Sequence, residues 1–145
     1  MNEKKLILHV DDDARVREVV GEVLTRAGHV CVGVANGLDA LEHVATFGAP
    51  ALVLVDLTMP VMNGWQLLAE RRKSARLTHV PFVALTASGA LDAAELGVAE
   101  ILRKPVDIDR LLAVARRYAG TGRSGTYQAI TPETPNTPRV RKNDR

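Results

Sequence analysis

The sequence predicts an α/β fold in which helices cover both faces of a parallel sheet. Two observations carry this prediction: short apolar, β-branched runs recur five times, and stretches with helical spacing of apolar residues separate them. Strands separated by helices are expected to be parallel, because a parallel pair needs a long crossover connection. The predicted strands are residues 6–10, 30–35, 51–55, 81–85 and 99–102.

The first predicted helix has the clearest pattern. Its apolar side chains recur three and four residues apart, so they are expected to form one face against the sheet until Gly28 ends the helix. That face consists of Val16, Val19, Val20, Val23, Leu24 and Ala27.

Four further helices follow the later strands. Asn36 can cap the second helix, and the third covers about 65–73. The fourth, near 90–96, is short. The fifth begins at about Asp107 and closes the fold near Tyr118.

Length and composition fit one folded domain followed by a tail. A chain of 145 residues with 46% hydrophobic residues can bury one ordinary core. Residues 1–118 carry 14 Lys and Arg against 15 Asp and Glu, whereas residues 119–145 carry 5 against 2. The second stretch contains Gly and three Thr-Pro pairs and has little to bury. We therefore predict a domain at 1–118 and a disordered basic tail at 119–145.

Several classes of protein are disfavoured by the same composition. The single Cys31 cannot form an internal disulfide, and the apolar run after the N-terminus is too short for a signal peptide or a membrane span. A cytoplasmic protein without membrane contact is expected. There is no room for a second domain that could bind DNA, so direct DNA binding is not expected.

Polar residues stand at the carboxyl ends of four predicted strands. Asp11 and Asp12 follow the first strand, and Asp56 follows the third. Thr86 follows the fourth, and Lys104 follows the fifth. Because the carboxyl ends of parallel strands meet at one edge of the sheet, where ligands bind, these side chains are expected to converge on one crevice.

This set of side chains suits phosphoryl transfer to a carboxylate. Three close carboxylates repel one another unless a cation intervenes, and hard oxygen ligands suit Mg²⁺. Lys104 can then supply a point charge, and Thr86 a hydroxyl donor, for a phosphoryl group on Asp56. In such a reaction, positioning and charge neutralisation do most of the catalytic work.

These residues resemble the receiver domain of bacterial two-component response regulators, over about residues 5–118. The resemblance implies a flavodoxin-like, doubly wound sheet of five parallel strands in the order 2-1-3-4-5, with five helices. It also implies a stand-alone signalling receiver of the chemotaxis type, which is not an enzyme acting on a separate substrate. The matching motifs are Asp11-Asp12, Asp56 with Met59-Pro60 and Asn63-Gly64, Thr86-Ala87, and Lys104-Pro105.

The resemblance assigns a role to each site residue. Asp56 would accept a phosphoryl group from a phosphohistidine on a sensor histidine kinase or a histidine phosphotransfer protein. Asp11 and Asp12 would hold Mg²⁺ together with Asp56 and the backbone carbonyl of Thr58. Thr86 and Lys104 would contact the phosphoryl oxygens, and a cis peptide would precede Pro105. The phosphorylated form would then bind an unknown downstream protein.

Two features depart from the family pattern. Receivers usually carry Tyr or Phe three positions before the lysine, and Ile101 stands there. The stretch from Thr86 to Gly97 is also short by about one helical turn. Both lie on the face that many receivers use for output. We hypothesise that the signal leaves through another surface or through altered docking; the alternative is a docking module that does not switch.

Two other functions remain as weaker alternatives. A phosphohydrolase resembling the haloacid dehalogenase family would need a second Asp two residues after the nucleophile, where Thr58 stands. A flavodoxin-like cofactor binder is disfavoured, because the acidic run 11–13 in the first loop would repel a phosphate.

Individual residues near these motifs also allow two interpretations. Asp13 is expected to cap the first helix rather than bind metal, and His9 to be a core residue rather than a ligand. Gly64 is expected to serve a turn. Trp65 is either a contact residue or semi-buried packing. A basic cluster, formed by Arg71, Arg72, Lys73 and Arg76, is expected to be a solvated helix end rather than a nucleic-acid site.

Overall fold

The structure is a computed structural model that describes residues 6–59, 61–87, 89 and 91–120. Its five strands form one parallel sheet in the order β2-β1-β3-β4-β5, which confirms the predicted fold class and strand order. The strands are β1 (Leu6–Val10), β2 (Val30–Val34), β3 (Leu52–Asp56), β4 (Phe82–Thr86) and β5 (Glu100–Arg103). The predicted tail lies outside the described residues from 121 onward.

Five helices connect and follow the strands. They are α1 (Ala14–Arg26), α2 (Gly37–Phe47), α3 (Gly64–Lys73), α4 (Ala93–Leu96) and α5 (Ile108–Ala119). Helices α1 and α5 cover one face of the sheet, and α2, α3 and α4 cover the other. Strands β3 and β4 are buried at every position, as their unbroken apolar runs require in a sheet covered on both sides.

Strand β1 has the predicted ends, and each of the other four strands differs from the prediction by one residue at one or both ends. The ladder pairs Asp56 with Leu85 and Thr86 with Arg103, so Asp56 and Thr86 are the last residues of β3 and β4 rather than the first residues of loops. Both side chains therefore stand on rigid backbone at the carboxyl edge of the sheet.

The apolar face predicted for the first helix is wrong at one position. Val20 and Leu24 are buried on α1, but Val19 is 56% exposed. The helix rests on the sheet along the line of Val20 and Leu24, and Val19 lies about 100° from Val20 around the helix axis. Helical spacing therefore predicted the correct side of the helix, but the predicted buried face was one residue wider than the observed one.

Two arginines of the basic cluster make structural contacts that the expectation of a solvated helix end did not include, whereas Arg72 and Lys73 are exposed as expected. Arg71 at the end of α3 donates from Nε and Nη2 to the carbonyl of Val80, at 3.2 and 2.8 Å, and its guanidinium lies 5.0 Å from the ring centre of Phe82. Arg76 donates from Nη1 to the carbonyl of Val44 near the end of α2, at 3.1 Å. These two side chains hold loops to helices. Nucleic-acid binding at this cluster gains no support from the structure.

The fourth helix is as short as predicted. Asp92 caps it, and Gly97 ends it in the left-handed conformation at φ 77° after four helical residues. Ile101 on β5 is partly buried and packs against the core on the same side of the sheet.

Candidate functional site

Three carboxylates meet at the carboxyl edge of the central strands. Asp11 directly follows β1, and Asp56 ends β3, which pairs with β1. Oxygens of Asp11, Asp12 and Asp56 all lie within 4.8 Å of one another. Asp11 is fully buried and Asp56 is 7% exposed, whereas Asp12 faces solvent. The three acids predicted to bind metal are therefore brought together.

The loop after β1 holds Asp11 from its own backbone. Asp13 donates its backbone N–H to Asp11 Oδ1 at 2.9 Å. The side chain of Asp13 accepts from the backbone N–H groups of Arg15 and Val16 and so caps α1. This confirms Asp13 as a helix cap.

Lys104 lies between the two buried carboxylates. Its Nζ is 3.0 Å from Asp11 Oδ2 and 3.4 Å from Asp56 Oδ2. Its backbone N–H donates to the carbonyl of Thr86 at 2.9 Å, which holds the end of β5 against β4. The peptide bond between Lys104 and Pro105 is cis, as the family resemblance implied. The ammonium therefore neutralises part of the acidic cluster.

Thr86 lies on the strand next to Asp56, and Thr58 follows Asp56 by two residues in the chain. Thr86 ends the neighbouring strand and is 7% exposed. Thr58 is two residues beyond Asp56, and its backbone N–H donates to Asp56 Oδ1 at 3.1 Å. One Asp56 oxygen thus accepts from the backbone and the other faces Lys104. The structure thus places Thr86 on the strand next to Asp56 and the Thr58 N–H against one Asp56 oxygen.

The two buried carboxyls have opposite shifts in acidity. Burial raises the pKa of Asp56, and the nearby Asp11 carboxylate raises it further, against the effects of a backbone N–H and of Lys104. Burial alone would raise the pKa of Asp11, but the nearby His9 imidazole, with Nε2 3.7 Å from Oδ2, the Asp13 N–H and Lys104 outweigh it, and the pKa falls to about 2. Asp11 is therefore a permanently charged group beside Asp56 at neutral pH.

The donors present suit a hard divalent cation. Carboxylate oxygens and a nearby backbone carbonyl are the ligands that Mg²⁺ takes in proteins, usually through one or two carboxylates with water completing the shell. Asp11 needs no proton removed before it binds a cation, and exposed Asp12 gives access from solvent.

The geometry agrees with what comparison with known proteins shows. Residues 7–116 match the family described as the response regulator receiver domain. The chain belongs to this family. It is 36% identical over 122 residues to sporulation initiation phosphotransferase F of Bacillus subtilis, covering 81% of this chain and 94% of that protein.

Other relatives place the receiver in different settings. It is 34% identical over 119 residues to the DNA-binding transcriptional regulator NtrC of Escherichia coli, covering 79% of this chain but only 25% of that protein. A solved receiver domain of a sensor histidine kinase from Pseudomonas aeruginosa has 27% identity and a TM-score of 0.72, covering 81% of this chain and 99% of the other. That structure holds a magnesium ion coordinated in its active-site cleft.

Membership of the family establishes the general class of function. Receiver domains are signalling proteins of two-component phosphorelay systems and are not classical enzymes; histidine kinases or phosphotransfer proteins phosphorylate them. Within the described part of this receiver, no helix has the length and apolar character needed to cross a membrane.

Gly64 has a role in the receiver that the sequence did not reveal. It is the first residue of α3 rather than part of a turn, and a Cβ there would lie 2.5 Å from the Asp56 carbonyl oxygen and 2.7 Å from Leu57 Cα. Asn63 and Gln66 form a capping box that anchors the start of this helix. The helix can approach the end of β3 this closely because residue 64 lacks a side chain.

Two further neighbours of Asp11 were also missed. Arg17 on α1 donates from Nη1 to the Asp11 carbonyl at 2.7 Å. His9 is fully buried, which confirms it as a core residue, but its Nε2 lies 3.7 Å from Asp11 Oδ2. Residues two apart on a strand share a face, so the second contact could have been found from spacing. Trp65 is 49% exposed and is not a core residue.

We expect the charge on Asp11 to make the free energy of unfolding of this receiver fall as the pH is lowered into the acid range. The pKa of Asp11 is about 2 in the folded state against 3.8 for an unperturbed aspartate side chain, so its contribution is complete above pH 3.8 and is lost as the pH falls through about 2. The expected size is about 2 kcal/mol. Since Asp56 shifts in the opposite direction, the measurement compares Asp56→Asn with Asp11→Asn/Asp56→Asn by urea unfolding between pH 4 and pH 2.

The single variant should lose stability over that interval relative to the double variant. Parallel curves for the two proteins would show that Asp11 does not carry this dependence.

Proposed function

We propose that Asp56 accepts a phosphoryl group from a phosphohistidine of a sensor histidine kinase or a histidine phosphotransfer protein. One observation carries the proposal: the Asp56 carboxylate stands at the edge of the sheet, 7% exposed, with Asp11, Asp12 and Lys104 around it. In the reaction, an Asp56 oxygen attacks phosphorus, the bond from phosphorus to the donor imidazole nitrogen breaks, and an acyl phosphate results.

The cation expected in this reaction is Mg²⁺. Asp11, Asp12, Asp56 and the backbone carbonyl of Thr58 would hold it, and when bound it supplies positive charge to the transferring phosphoryl group. Lys104 supplies a second positive charge, with its Nζ 3.4 Å from Asp56 Oδ2. Thr86 contacts the phosphoryl oxygens from the next strand through its hydroxyl.

The transferred charge then alters partner binding. Lys104 is paired with Asp11 and Asp56 in the present structure, so a phosphoryl group on Asp56 offers it a stronger partner. Ile101 has no ring to rotate and α4 has only four residues, so we propose that the signal leaves through another surface.

A second candidate is a docking module of receiver fold that does not switch. Ile101 and the short α4 favour it, and the assembled acidic cluster disfavours it. Backbone amide shifts before and after phosphorylation distinguish the two: no shift beyond the loops around Asp56 supports the docking module. Shifts chiefly on α4 and β5 would contradict the proposed change of output surface.

The proposal includes the setting of the protein. We propose that it acts in the cytoplasm by binding an unidentified downstream protein, without contacting DNA or a membrane. The single Cys31 can form no disulfide within the chain, as is usual for proteins of a reducing compartment, and burial raises the pKa of its thiol to about 12. The division into a domain at 1–118 and a disordered tail also stays a proposal; α5 continues to Ala119.

Incubation with a small phosphodonor and Mg²⁺, followed by intact mass measurement, tests the proposal. The expected product is one phosphoryl adduct that is stable to acid and labile to base, and its formation should require Mg²⁺. Asp56→Asn should give no adduct. Asp13→Asn is the matched control, because it changes an acid of the same loop that caps α1 outside the cluster, and it should react. An adduct on Asp56→Asn, or none on the wild type, would refute the assignment.

A further inference from the structure

The imidazole of His9 is buried under the acidic cluster without a hydrogen-bond partner. The residue is fully buried, and neither Nδ1 nor Nε2 makes a hydrogen bond to any described residue. Its neighbours in the strand register are Gly33 on β2 and Leu54 on β3, neither of which has a polar side chain. A buried polar group without a partner weakens a fold, whereas an aliphatic residue here would carry no such cost.

The imidazole lies close to the charged side chain of Asp11. His9 Nε2 lies 3.7 Å from Asp11 Oδ2, about 0.5 Å beyond hydrogen-bond distance. The same oxygen already accepts from Lys104 at 3.0 Å, and the other Asp11 oxygen accepts from the Asp13 N–H at 2.9 Å. In this state each oxygen of the Asp11 carboxylate has a hydrogen-bond donor, and the His9 imidazole lies just beyond hydrogen-bond distance of Oδ2.

Phosphorylation would remove one of those donors. If Lys104 turns to a phosphoryl group on Asp56, Asp11 Oδ2 loses its ammonium partner while it remains fully buried. A buried carboxylate oxygen without a donor is unfavourable. A small shift of either side chain would bring the Nε2–H of His9 into hydrogen-bond range of that oxygen.

We propose that His9 is a positioning residue for Asp11, which donates from Nε2 to Oδ2 when Lys104 leaves. The imidazole holds the carboxylate in the orientation needed to bind a cation and replaces the ammonium that moves to the phosphoryl group. This inference rests on the proposed function, because it requires Asp11 to bind Mg²⁺ and Asp56 to be phosphorylated. Ligating carboxylates are generally held by hydrogen bonds of this kind from behind.

The test compares His9→Gln with His9→Met. Both new side chains are linear and of similar length, so both variants lose the packing of the imidazole ring. Only Gln keeps an N–H donor near the position of Nε2. Mg²⁺ titration by calorimetry in the presence of beryllium fluoride, which takes the place of the phosphoryl group on Asp56, should show about tenfold weaker binding for His9→Met and near wild-type binding for His9→Gln. Phosphorylation should slow in the same order.

Stability supplies a readout that separates positioning from packing. Since Met removes an unpaired buried polar group, the urea midpoint of His9→Met should be no lower than that of His9→Gln, although its Mg²⁺ affinity is lower. The control is His43→Leu on α2, which removes another histidine with an unpartnered Nδ1, here packed on Phe47, and should leave Mg²⁺ affinity unchanged.

Three outcomes are distinguishable. Weaker Mg²⁺ binding in His9→Met alone supports the inference. Equal Mg²⁺ affinity in His9→Met and His9→Gln overturns it and leaves the proposed function intact, provided that the wild type binds Mg²⁺ and forms the adduct. A wild type that does neither overturns both.

Discussion

Replacing Lys104 by methionine is expected to lower the free energy of unfolding at pH 7 by about 2 kcal/mol. The change removes the ammonium 3.0 Å from Asp11 and 3.4 Å from Asp56 and leaves two carboxylates facing each other. The loss is smaller than for a fully buried pair, because the Lys104 side chain is 23% exposed and solvent screens part of it. Urea unfolding of both proteins without Mg²⁺ measures the difference.

This loss should shrink in acid. Without the ammonium, the pKa values of both carboxyls rise in the folded variant, so its folded state binds protons more readily than its unfolded state and gains stability as the pH falls. Burial lowers the pKa of Lys104 in the wild type, but the two carboxylates more than offset it and the pKa is raised. The contribution of Lys104 to the free energy of unfolding is therefore complete below pH 10.5 and is lost as the pH rises through the raised pKa of the folded state.

Two variants control for the loss of a lysine as such. Lys73→Met removes an ammonium 3.5 Å from Glu70 with a side chain 72% exposed, and should change stability by less than about 0.5 kcal/mol. Adding Asp56→Asn to Lys104→Met removes one of the two opposed charges and should restore part of the stability. An equal deficit at pH 7 and pH 3 would contradict the electrostatic explanation.

Gly64→Ala is expected to lower the free energy of unfolding by about 2 kcal/mol or more and to slow phosphorylation. The added Cβ would meet the Asp56 carbonyl oxygen at 2.5 Å and Leu57 Cα at 2.7 Å. Both are backbone atoms, so no side-chain rotation relieves the clash. Either the start of α3 or the end of β3 must move, and the second movement displaces Asp56, the proposed phosphoacceptor. Urea unfolding and the rate of adduct formation measure the two effects.

Gly21→Ala is a matched control with the opposite expected sign. Gly21 lies within α1, and a Cβ there meets nothing within 4 Å. Alanine should raise the free energy of unfolding by about 0.5–1 kcal/mol, because it restricts the unfolded chain and favours helix. A change of the same sign and size at both glycines would show that close approach at Gly64 does not matter.

The sequence alone determined the fold class and the neighbourhood of the site. The five apolar runs and the helical spacing between them predicted the parallel sheet, and comparison with known proteins confirmed the family. The meeting of Asp11, Asp12, Asp56 and Lys104 was predictable for a general reason. Each follows or ends a strand, and parallel strands bring their carboxyl ends to one edge whatever the details of packing.

Tertiary structure alone decided the contacts between segments distant in sequence. Arg71 reaches the carbonyl of Gly97, 26 residues away, and Gly64 is required by the backbone of β3. Local spacing predicts which side of an element faces the core, as for Val20, but the width of the buried face, as for Val19, depends on how the helix sits on the sheet.

For Asp56, too, the sequence predicted one part of the site and the tertiary structure decided the other. Its position before a Pro and Gly loop marked it as a reactive carboxylate, because a strand that ends in a single acid delivers it to the edge of the sheet. Its raised pKa, its pairing with Lys104 and the buried His9 behind Asp11 depend on which side chains other strands bring within a few ångströms. Electrostatic interactions follow distance and burial in space, and neither quantity can be read from order along the chain.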